Sequence, residues 1–366
     1  MTMPSFGTFF LPGPTEVRPE ILAAMLRPMI SHRGAEFETL YGNCDAGLRR
    51  VFRTVRPVFI SSSSATGLME AAIRNAPAGP ILSLVNGAFS ARFADIARAC
   101  GRTVQALEVP YGAIVPLETA EQALRARRFA AVTAAHSETS TGAAQDVQVI
   151  AELAHANGAF SLIDSVSGMG GMPVETDGWA LDFVFTGSQK ALALPPGLAF
   201  CCASDRFLAA ATDAPARGRY FDIAEFAQYA AKQQTPNTPA VSLFFALEAQ
   251  MAAIGPTGLE CRWARHAAMS AHTHAWVEHQ RQAGRAEGIL APPGARSATV
   301  TVVKTAAGVD ARSVVDAVAR RGFTLGGGYG KLAATSFRVG HMGDHTVETV
   351  ARLLEVVGEV LATAGA

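Results

Sequence analysis

Lys190 is the residue whose type and setting point most directly to covalent chemistry. It is one of only four lysines in a chain of 366 residues, and it follows the apolar run 183–186 within the sequence T-G-S-Q-K. A lysine at the end of a core strand loses hydration, which lowers its pKa and leaves a neutral amine able to attack a carbonyl carbon. The rigid turn P-P-G at 195–197 follows. From these residues alone, a nucleophilic lysine and an ordinary solvated lysine both remain open.

Two segments upstream carry polar groups where apolar runs end. Asp164 closes the run 160–164, and its carboxylate could cap a turn or belong to a site. The serine-rich segment 61–67 stands between a predicted strand and a predicted helix. Its small side chains would let backbone N–H groups approach an anion, and the helix dipole favours negative charge there. Serines before a helix are also ordinary N-caps, so this segment alone does not decide between the two interpretations.

Alternating strands and helices must position these segments. The predicted strands are apolar throughout, which is typical of a sheet covered on both faces, and the alternation predicts an α/β domain with a mostly parallel sheet. Such sheets bind ligands beyond the carboxyl ends of their strands. The predicted strands are 58–61, 81–85, 104–109, 130–135, 160–164, 183–186 and 198–202, and the predicted helices are 67–75, 90–100, 120–126 and 147–157.

The pattern changes at both ends of this region. Residues 1–20 are rich in Pro and Gly and are predicted to be irregular, as is the connection 213–238. The rest indicates a smaller α/β unit after a long helical region. Its predicted elements are the helical region 241–286 with a break at 255–258, strand 299–303, helix 310–320, strand 335–339 and helix 347–362.

Composition limits the class of protein. A length of 366 residues favours two domains. Lys plus Arg and Asp plus Glu are equal at 31 each, so a clustered basic surface for nucleic acid or membrane binding is not expected. No apolar run reaches the ~18 residues of a membrane span. The five cysteines do not have the spacing of a zinc site, so we expect no metal site. Their odd number and the absence of a secretory signal at the start lead us to expect a location in the reducing cytoplasm.

Eight short motifs follow one another along the chain. They are L-P-G-P-T at 11–15, M-I-S-H-R-G at 29–34, S-S-A-T-G-L-M-E-A at 63–71, V-N-G-A-F at 85–89, H-S-E-T-S-T-G at 136–142, L-I-D-S-V-S at 162–167, T-G-S-Q-K-A-L at 186–192 and F-R-V-G at 337–340. In type and order these motifs resemble those of the class V aminotransferases of fold type I. The likeness is nearest to the alanine–glyoxylate and serine–pyruvate or serine–glyoxylate aminotransferases, and it runs from about Phe10 to the last helix.

The resemblance implies a fold and an assembly. It implies a large domain at 21–250 with a mostly parallel seven-stranded sheet, and a smaller C-terminal α/β domain at 251–366. An N-terminal segment, 1–20, is expected to join the small domain. The family pattern also implies a homodimer with shared active sites.

The cofactor implied is pyridoxal 5′-phosphate. By resemblance, Lys190 forms a Schiff base with it and moves the proton of the substrate, while Asp164 keeps the pyridine nitrogen protonated. Val166 and Phe89 are expected on the two faces of the ring, and Ser140 near its 3′-oxygen. The phosphate contacts are expected from Ser64, Ala65, Thr66 and Gln189, together with Thr238 of a neighbouring subunit.

Substrate contacts are implied for fewer residues. The resemblance places Arg338 on the substrate α-carboxylate, for which a planar guanidinium is well suited. Gly13 is expected in the wall of the pocket. Arg33 could line the substrate entrance or stabilise local structure, and the roles of Thr235 and His341 stay open.

The activity implied is ping-pong transamination. The preferred substrates are alanine or serine as amino donor and glyoxylate or pyruvate as acceptor. Transamination of 2-aminoethylphosphonate or phosphoserine is an alternative, since those enzymes share most of the motifs and Arg33 could hold a second anionic group. A lyase of the cysteine desulfurase type is a further alternative, which would need a reactive thiolate facing the cofactor.

Overall fold

The computed structural model describes residues 6–215 and 217–364. Its strands in chain order are β1 (Phe9–Phe10), β2 (Phe59–Ser61), β3 (Ile81–Val85), β4 (Val104–Glu108), β5 (Ala131–Ala135), β6 (Ser137–Glu138), β7 (Ala143–Ala144), β8 (Phe160–Asp164), β9 (Phe183–Gly187), β10 (Ala199–Ala203), β11 (Ala286–Ile289), β12 (Val300–Thr305), β13 (Thr324–Gly327) and β14 (Ser336–Gly340). Its helices are α1 (Pro19–Ala24), α2 (Ala35–Phe52), α3 (Ala65–Asn75), α4 (Ala88–Ala99), α5 (Leu117–Ala126), α6 (Val147–Ala156), α7 (Asp205–Ala211), α8 (Ile223–Ala230), α9 (Val241–Thr257), α10 (Leu259–Gln282), α11 (Ala311–Arg320) and α12 (Val347–Ala364).

The large sheet has seven strands in the described part of the chain, in the order β2-β10-β9-β8-β5-β3-β4. Adjacent strands of this sheet are parallel, except that β10 is antiparallel to both β2 and β9. Parallel neighbours need a crossover, and α4, α5 and α6 follow β3, β4 and β5 in that role. The predicted fold class, a mostly parallel sheet in an α/β protein, is confirmed.

Both faces of this sheet are covered by buried apolar side chains. In β9, Val184 packs with residues of α2, α6 and α9 on one face, while Phe183 and Phe185 pack with residues of α3, α4 and α7 on the other. Successive side chains of a strand point to opposite faces, so an unbroken apolar run is what a doubly covered strand requires. Each fully buried phenylalanine contributes on the order of 1.5–3 kcal/mol to folding.

A second sheet lies in the C-terminal part, in the order β1-β13-β14-β12-β11. Phe9 and Phe10 pair in parallel with Thr324 and Leu325, so the start of the described chain adds a strand to this sheet. Strands β1, β11 and β13 were not predicted, because they are short and two of them contain glycine. The predicted limit between residues 250 and 251 falls inside α9, and the division into domains stays a prediction.

Two further differences from the sequence prediction concern helices. The connection 213–238 contains α8, which forms because the Asp222 side chain caps its first turn and Ile223 and Phe226 are buried. Helix α2 was not predicted, although its buried side chains recur at the spacing of one helix face. Among the described residues, no helix combines the length and the apolar composition needed to cross a bilayer.

Candidate active site

A cavity of about 270 Å³ lies at the carboxyl ends of the large sheet. Because β10 is antiparallel to both β2 and β9, these two strands run in the same direction and end at the same edge as β3, β5 and β8. The segments that follow these strands therefore meet there. The predicted site residues that line the cavity are Gly13, Ser64, Ala65, Thr66, Phe89, Asp164, Val166, Gln189 and Lys190.

Lys190 is buried against the N-terminal segment of the chain. Its side chain is 8% exposed, and its Nζ donates a hydrogen bond to the carbonyl oxygen of Pro12. A Cβ on Gly13, whose φ is +114°, would come within 2.2 Å of this Nζ. Burial lowers the pKa of Lys190 to about 8, and the positive charge of Arg338 acts in the same direction. The amine is therefore neutral at lower pH than an ordinary lysine, as a nucleophile requires.

Asp164 is the last residue of β8 and lines the same cavity. Its Oδ1 accepts a hydrogen bond of 2.8 Å from the backbone N–H of Val166. Burial raises the pKa of Asp164 to about 7, against the opposing effect of that hydrogen bond. A buried carboxyl of this kind is well suited to share a proton with a basic nitrogen placed in the cavity.

The start of α3 provides a place for an anion. Ser64 is its N-cap and makes no side-chain capping hydrogen bond, and the first turn carries no acidic residue. The buried Oε1 of Gln189 has no hydrogen-bond partner among the described residues. Turning that amide over would present its N–H₂ donor instead. Free helix N–H groups, hydroxyl groups and an amide together match the oxygens of a phosphate.

These groups fit the functional parts of pyridoxal 5′-phosphate. The amine of Lys190 suits an aldehyde, the carboxyl of Asp164 suits a ring nitrogen, and the start of α3 suits a phosphate. The residues that could hold the cofactor are thus present in one cavity.

Glu138 is a buried acid that sequence reasoning missed. It is 0% exposed, and its carboxylate accepts hydrogen bonds from the backbone N–H groups of Phe89 and Ser90, at 3.1 and 2.9 Å. It also accepts one of 2.6 Å from the Ser140 hydroxyl. Its carboxylate thus lies at the N-terminus of α4, where the helix dipole favours a negative charge. The signal in the sequence was an acidic residue inside the otherwise small and polar motif at 136–142.

Arg338 lies on β14, outside the residues that line the cavity but within electrostatic reach of Lys190. Its Nε donates a 2.7 Å hydrogen bond to the carbonyl oxygen of Gly327, and one Nη donates at 3.5 Å to the carbonyl oxygen of Thr139, which does line the cavity. Burial lowers the pKa of Arg338 from its ordinary value. The side chain is thus oriented by backbone carbonyls that leave further N–H donors for a ligand.

Arg92 is a second arginine at the cavity, and it was not predicted. It is one helical turn after Phe89 on α4, and its guanidinium carbon is 4.9 Å from the centre of the Phe89 ring. Both residues line the cavity. Its Nη donates a 3.1 Å hydrogen bond to the hydroxyl oxygen of Tyr329.

Apart from Arg338, three predicted residues do not line this cavity: Thr238, Arg33 and Ser140, whose hydroxyl contacts Glu138. Thr238 lines a small separate cavity with Ser62 and Tyr220. Arg33 donates hydrogen bonds to the carbonyl oxygens of Thr235 and Pro236, at 2.7 and 3.2 Å. Arg33 therefore contacts the segment that carries Thr238, and the roles of both residues toward a cofactor or substrate stay predictions.

The buried histidines of the motifs serve local structure. Burial lowers the pKa of His136 to about 4, and its Nδ1 is 3.0 Å from the Ser165 hydroxyl. His341 has its Nε2 2.8 Å from the Thr301 hydroxyl and its Nδ1 3.0 Å from the carbonyl oxygen of Ala298. Each side chain is hydrogen-bonded within the protein.

The cysteines give no support to a thiolate-based reaction. The structure describes all five of them, and none lines the cavity. Burial raises the pKa of the Cys44, Cys201 and Cys202 thiols, which disfavours their reactive form.

Comparison with known proteins gives the family. A family model described as aminotransferase class-V matches residues 19–341. The L-aspartate–glyoxylate aminotransferase of Paracoccus denitrificans is 33% identical over 94% of this chain and 88% of its own length. The serine–glyoxylate aminotransferase of Methylorubrum extorquens is 32% identical over 93% of this chain and 87% of its own length.

Solved structures agree with this match. The crystal structure of an alanine–glyoxylate aminotransferase from Nostoc sp. has a TM-score of 0.91 and 30% sequence identity, and the match covers 99% of this chain and 96% of that one. The resemblance inferred from the eight motifs is confirmed. Since sequence, family model and three-dimensional structure agree over nearly the whole length, this chain belongs to the class V aminotransferase family and is a transaminase.

Proposed function

We propose that this transaminase moves an amino group from alanine or serine to glyoxylate or pyruvate, with pyridoxal 5′-phosphate as its cofactor. The observation that carries the proposal is the meeting of Lys190, Asp164 and the start of α3 in one cavity of about 270 Å³. The names of the three relatives support glyoxylate as the acceptor, since all of them include it. Those names differ in the donor, which is aspartate, serine or alanine.

The cofactor would be held by residues from several strand ends. Lys190 would link to its aldehyde carbon, Asp164 would pair with its ring nitrogen, and the N–H groups at the start of α3 would bind its phosphate. Phe89 and Val166, which line the cavity, would pack on the two faces of the ring. When bound, pyridoxal phosphate supplies an aldehyde that links to amines and a ring that accepts the electron pair left when Cα loses its proton.

Lys190 would also carry the proton. With the substrate amine in place, the neutral Nζ of Lys190 would take the proton from the substrate Cα and hold it for return to the reacting group. A pKa of about 8 leaves more of this amine neutral near physiological pH than the ordinary lysine pKa would. The burial that lowers this pKa also limits access of water to the reacting carbon.

Arg338 would orient the substrate. Two parallel N–H groups of a guanidinium bind both oxygens of a carboxylate, which fixes the direction of the bonds at Cα. That orientation would direct the Cα–H bond toward the Nζ of Lys190, so it would affect the rate as well as the binding.

A homodimer with shared active sites is part of the proposal. Thr238 lies away from the cavity of its own subunit, and Arg33 is hydrogen-bonded to the segment that carries it, so both could contact the cavity of a neighbouring subunit. An interface of that kind would be isologous, with each subunit completing the site of the other.

A half-reaction assay tests the activity. The cofactor-loaded protein is mixed with one donor at a time, and the change in its visible absorbance is followed. The donors are alanine, serine, aspartate, phosphoserine and 2-aminoethylphosphonate. We expect alanine or serine to react fastest and glyoxylate or pyruvate to restore the starting spectrum. Reaction with phosphoserine or aminoethylphosphonate alone would overturn the proposal in favour of a phosphorylated or phosphonated substrate.

Mixed dimers test the shared site. Lys190→Ala and Thr238→Ala variants are each assayed alone and then after subunit exchange. If Thr238 serves the neighbouring site, one site of each mixed dimer contains both wild-type residues, and activity rises above that of either parent. If Thr238 serves its own site, no site in the mixture is intact and activity does not rise. Light scattering at assay concentration establishes whether the active species is a dimer.

A further inference from the structure

Tyr329 packs against two residues that line the cavity, Phe89 and Arg92, and so borders its rim. No motif predicted this residue. It lies in the loop between β13 and β14, and its ring centre is 5.4 Å from that of Phe89, with the two planes tilted by 46°. Its hydroxyl accepts the 3.1 Å hydrogen bond from Arg92. The guanidinium carbon of Arg338 is 5.5 Å from its ring centre. One half-buried tyrosine thus contacts a ring and two arginines around the cavity.

These contacts join the two sheets of the protein. Phe89 and Arg92 belong to α4, which follows a strand of the large sheet, whereas Tyr329 and Arg338 belong to the small sheet and its loop. The loop also contacts the segment that follows β4 of the large sheet, where Lys331 Nζ is 3.9 Å from the centre of the Tyr111 ring. The loop is therefore held by two contacts, and of these only the one at Tyr329 involves residues that line the cavity.

We propose that Tyr329 is a specificity-determining residue that restricts the amino donor to small side chains. The inference rests on the proposed function, in which Arg338 holds the substrate carboxylate. A substrate held there has its Cα near Lys190, and its side chain must fit beside the Phe89 and Tyr329 rings, which pack against each other with their centres 5.4 Å apart. The Tyr329 ring is not free to move aside for a larger side chain, because it is held from two sides, by the hydrogen bond from Arg92 and by the Arg338 guanidinium.

The size effect and the hydrogen bond can be separated by substitution. Tyr329→Ala removes the ring and opens the rim, while Tyr329→Phe keeps the ring and removes only the hydroxyl that accepts from Arg92. A closed apolar rim discriminates between donors that differ by one or more methylene groups by roughly 10- to 200-fold. Lys331→Ala is the matched control, because it changes the same loop at a contact outside the cavity lining.

The experiment compares kcat/KM for alanine, 2-aminobutyrate, norvaline and leucine in the cofactor-loaded enzyme. For Tyr329→Ala we expect the ratio of leucine to alanine to rise about tenfold or more, with a higher KM for alanine. Tyr329→Phe should raise the KM of every donor by a similar factor, so the leucine-to-alanine ratio should stay within about twofold of the wild type. Lys331→Ala should change neither the KM values nor this ratio. An unchanged ratio in Tyr329→Ala, with all donors slowed equally, would reduce Tyr329 to a structural residue and overturn the inference.

A binding measurement separates this inference from the proposed function. Calorimetry on the loaded enzyme gives dissociation constants for acetate and 4-methylpentanoate, neither of which can react. The rim predicts that Tyr329→Ala strengthens binding of the larger acid relative to acetate, and no such change would overturn it. If the wild type transaminates none of the donors while the two dissociation constants shift as expected, the proposed substrates are wrong but the inference about Tyr329 stands.

Discussion

The Nζ of Lys190 donates its hydrogen bond to the carbonyl oxygen of Pro12, a residue 178 positions away in the sequence. The same segment holds the lysine backbone, since the Thr15 hydroxyl donates a 3.0 Å hydrogen bond to the Lys190 carbonyl oxygen. The N-terminal segment therefore determines how closely the amine is packed and how little water reaches it. The lowered pKa of Lys190 depends on that burial.

The rate of cofactor capture should follow the titration of Lys190. Its pKa in the folded protein is lowered from 10.5 to about 8, so the neutral amine accumulates as pH rises through about 8. We expect the rate at which cofactor-free protein gains visible absorbance with pyridoxal phosphate to rise up to about that pH and then level off. Borohydride reduction and peptide mapping should find the cofactor on Lys190. A rate still climbing at pH 10, or an adduct on Lys232, would contradict the assignment.

Gly13→Ala should impair cofactor capture beyond its cost in stability. The added Cβ would meet Lys190 Nζ at 2.2 Å, and a φ of +114° is itself unfavourable for alanine. Gly101→Ala is the control, because Gly101 also has a positive φ of +77° but nothing within 4 Å of the added atom. Both should lose on the order of 1–2 kcal/mol of unfolding free energy, measured by urea denaturation. Only Gly13→Ala should slow capture, by about tenfold or more; equal capture rates would show that the contact is unimportant.

Asp164→Asn should slow the reaction while leaving the fold and the binding of the cofactor intact. Asparagine keeps the shape and can accept the 2.8 Å hydrogen bond from Val166 N–H, so the protein should fold and bind the cofactor. It cannot hold a proton on the ring nitrogen, so removal of the Cα proton should slow by roughly a thousandfold or more. Stopped-flow measurement of the half-reaction with alanine checks this. Turnover near that of the wild type would mean that Asp164 has only a structural role.

Glu138→Gln should weaken cofactor binding indirectly, because Glu138 positions residues that would contact the cofactor. The carboxylate holds the backbone of Phe89 and Ser90 at the start of α4, and glutamine keeps its size but loses the charge that strengthens these bonds. We expect the dissociation constant of pyridoxal phosphate to rise about tenfold. Glu118→Gln, an exposed acid in the first turn of α5, should leave it unchanged. Equal constants in the two variants would show that the buried charge does not position Phe89.

Arg338→Lys should affect both kinetic constants for the amino donor. Lysine keeps the charge but lacks the two parallel N–H groups that hold a carboxylate in one orientation. We expect KM to rise and kcat to fall, each by about tenfold, while the absorbance of the loaded enzyme without substrate stays the same. Steady-state kinetics with alanine or serine provides the measurement. If Arg338→Ala transaminated either donor as well as the parent, the substrate carboxylate would have to be bound elsewhere.

The strands and turns that carry the chemistry could be predicted from the amino-acid sequence alone. Runs of apolar residues predicted the strands of the large sheet to within one or two residues, because a strand buried on both faces needs such a run. The position of Lys190 after β9 and of Asp164 at the end of β8 followed from those runs. Ends of parallel strands share one edge, so even the grouping of these residues could be expected.

The distant residues that complete the site could not be predicted before the three-dimensional fold was known. Pro12 on Lys190, Glu138 beneath Phe89, and Tyr329 against Arg92 are contacts between segments far apart in the chain. No local pattern encodes them, since a carboxylate, a tyrosine or a proline has the same local preferences whether it faces solvent or a site. Glu138 meets Phe89 because β3 and β5 are neighbours in the large sheet, and Tyr329 meets Arg92 because the loop before β14 packs against α4. Such packing depends on side chains from the whole chain at once.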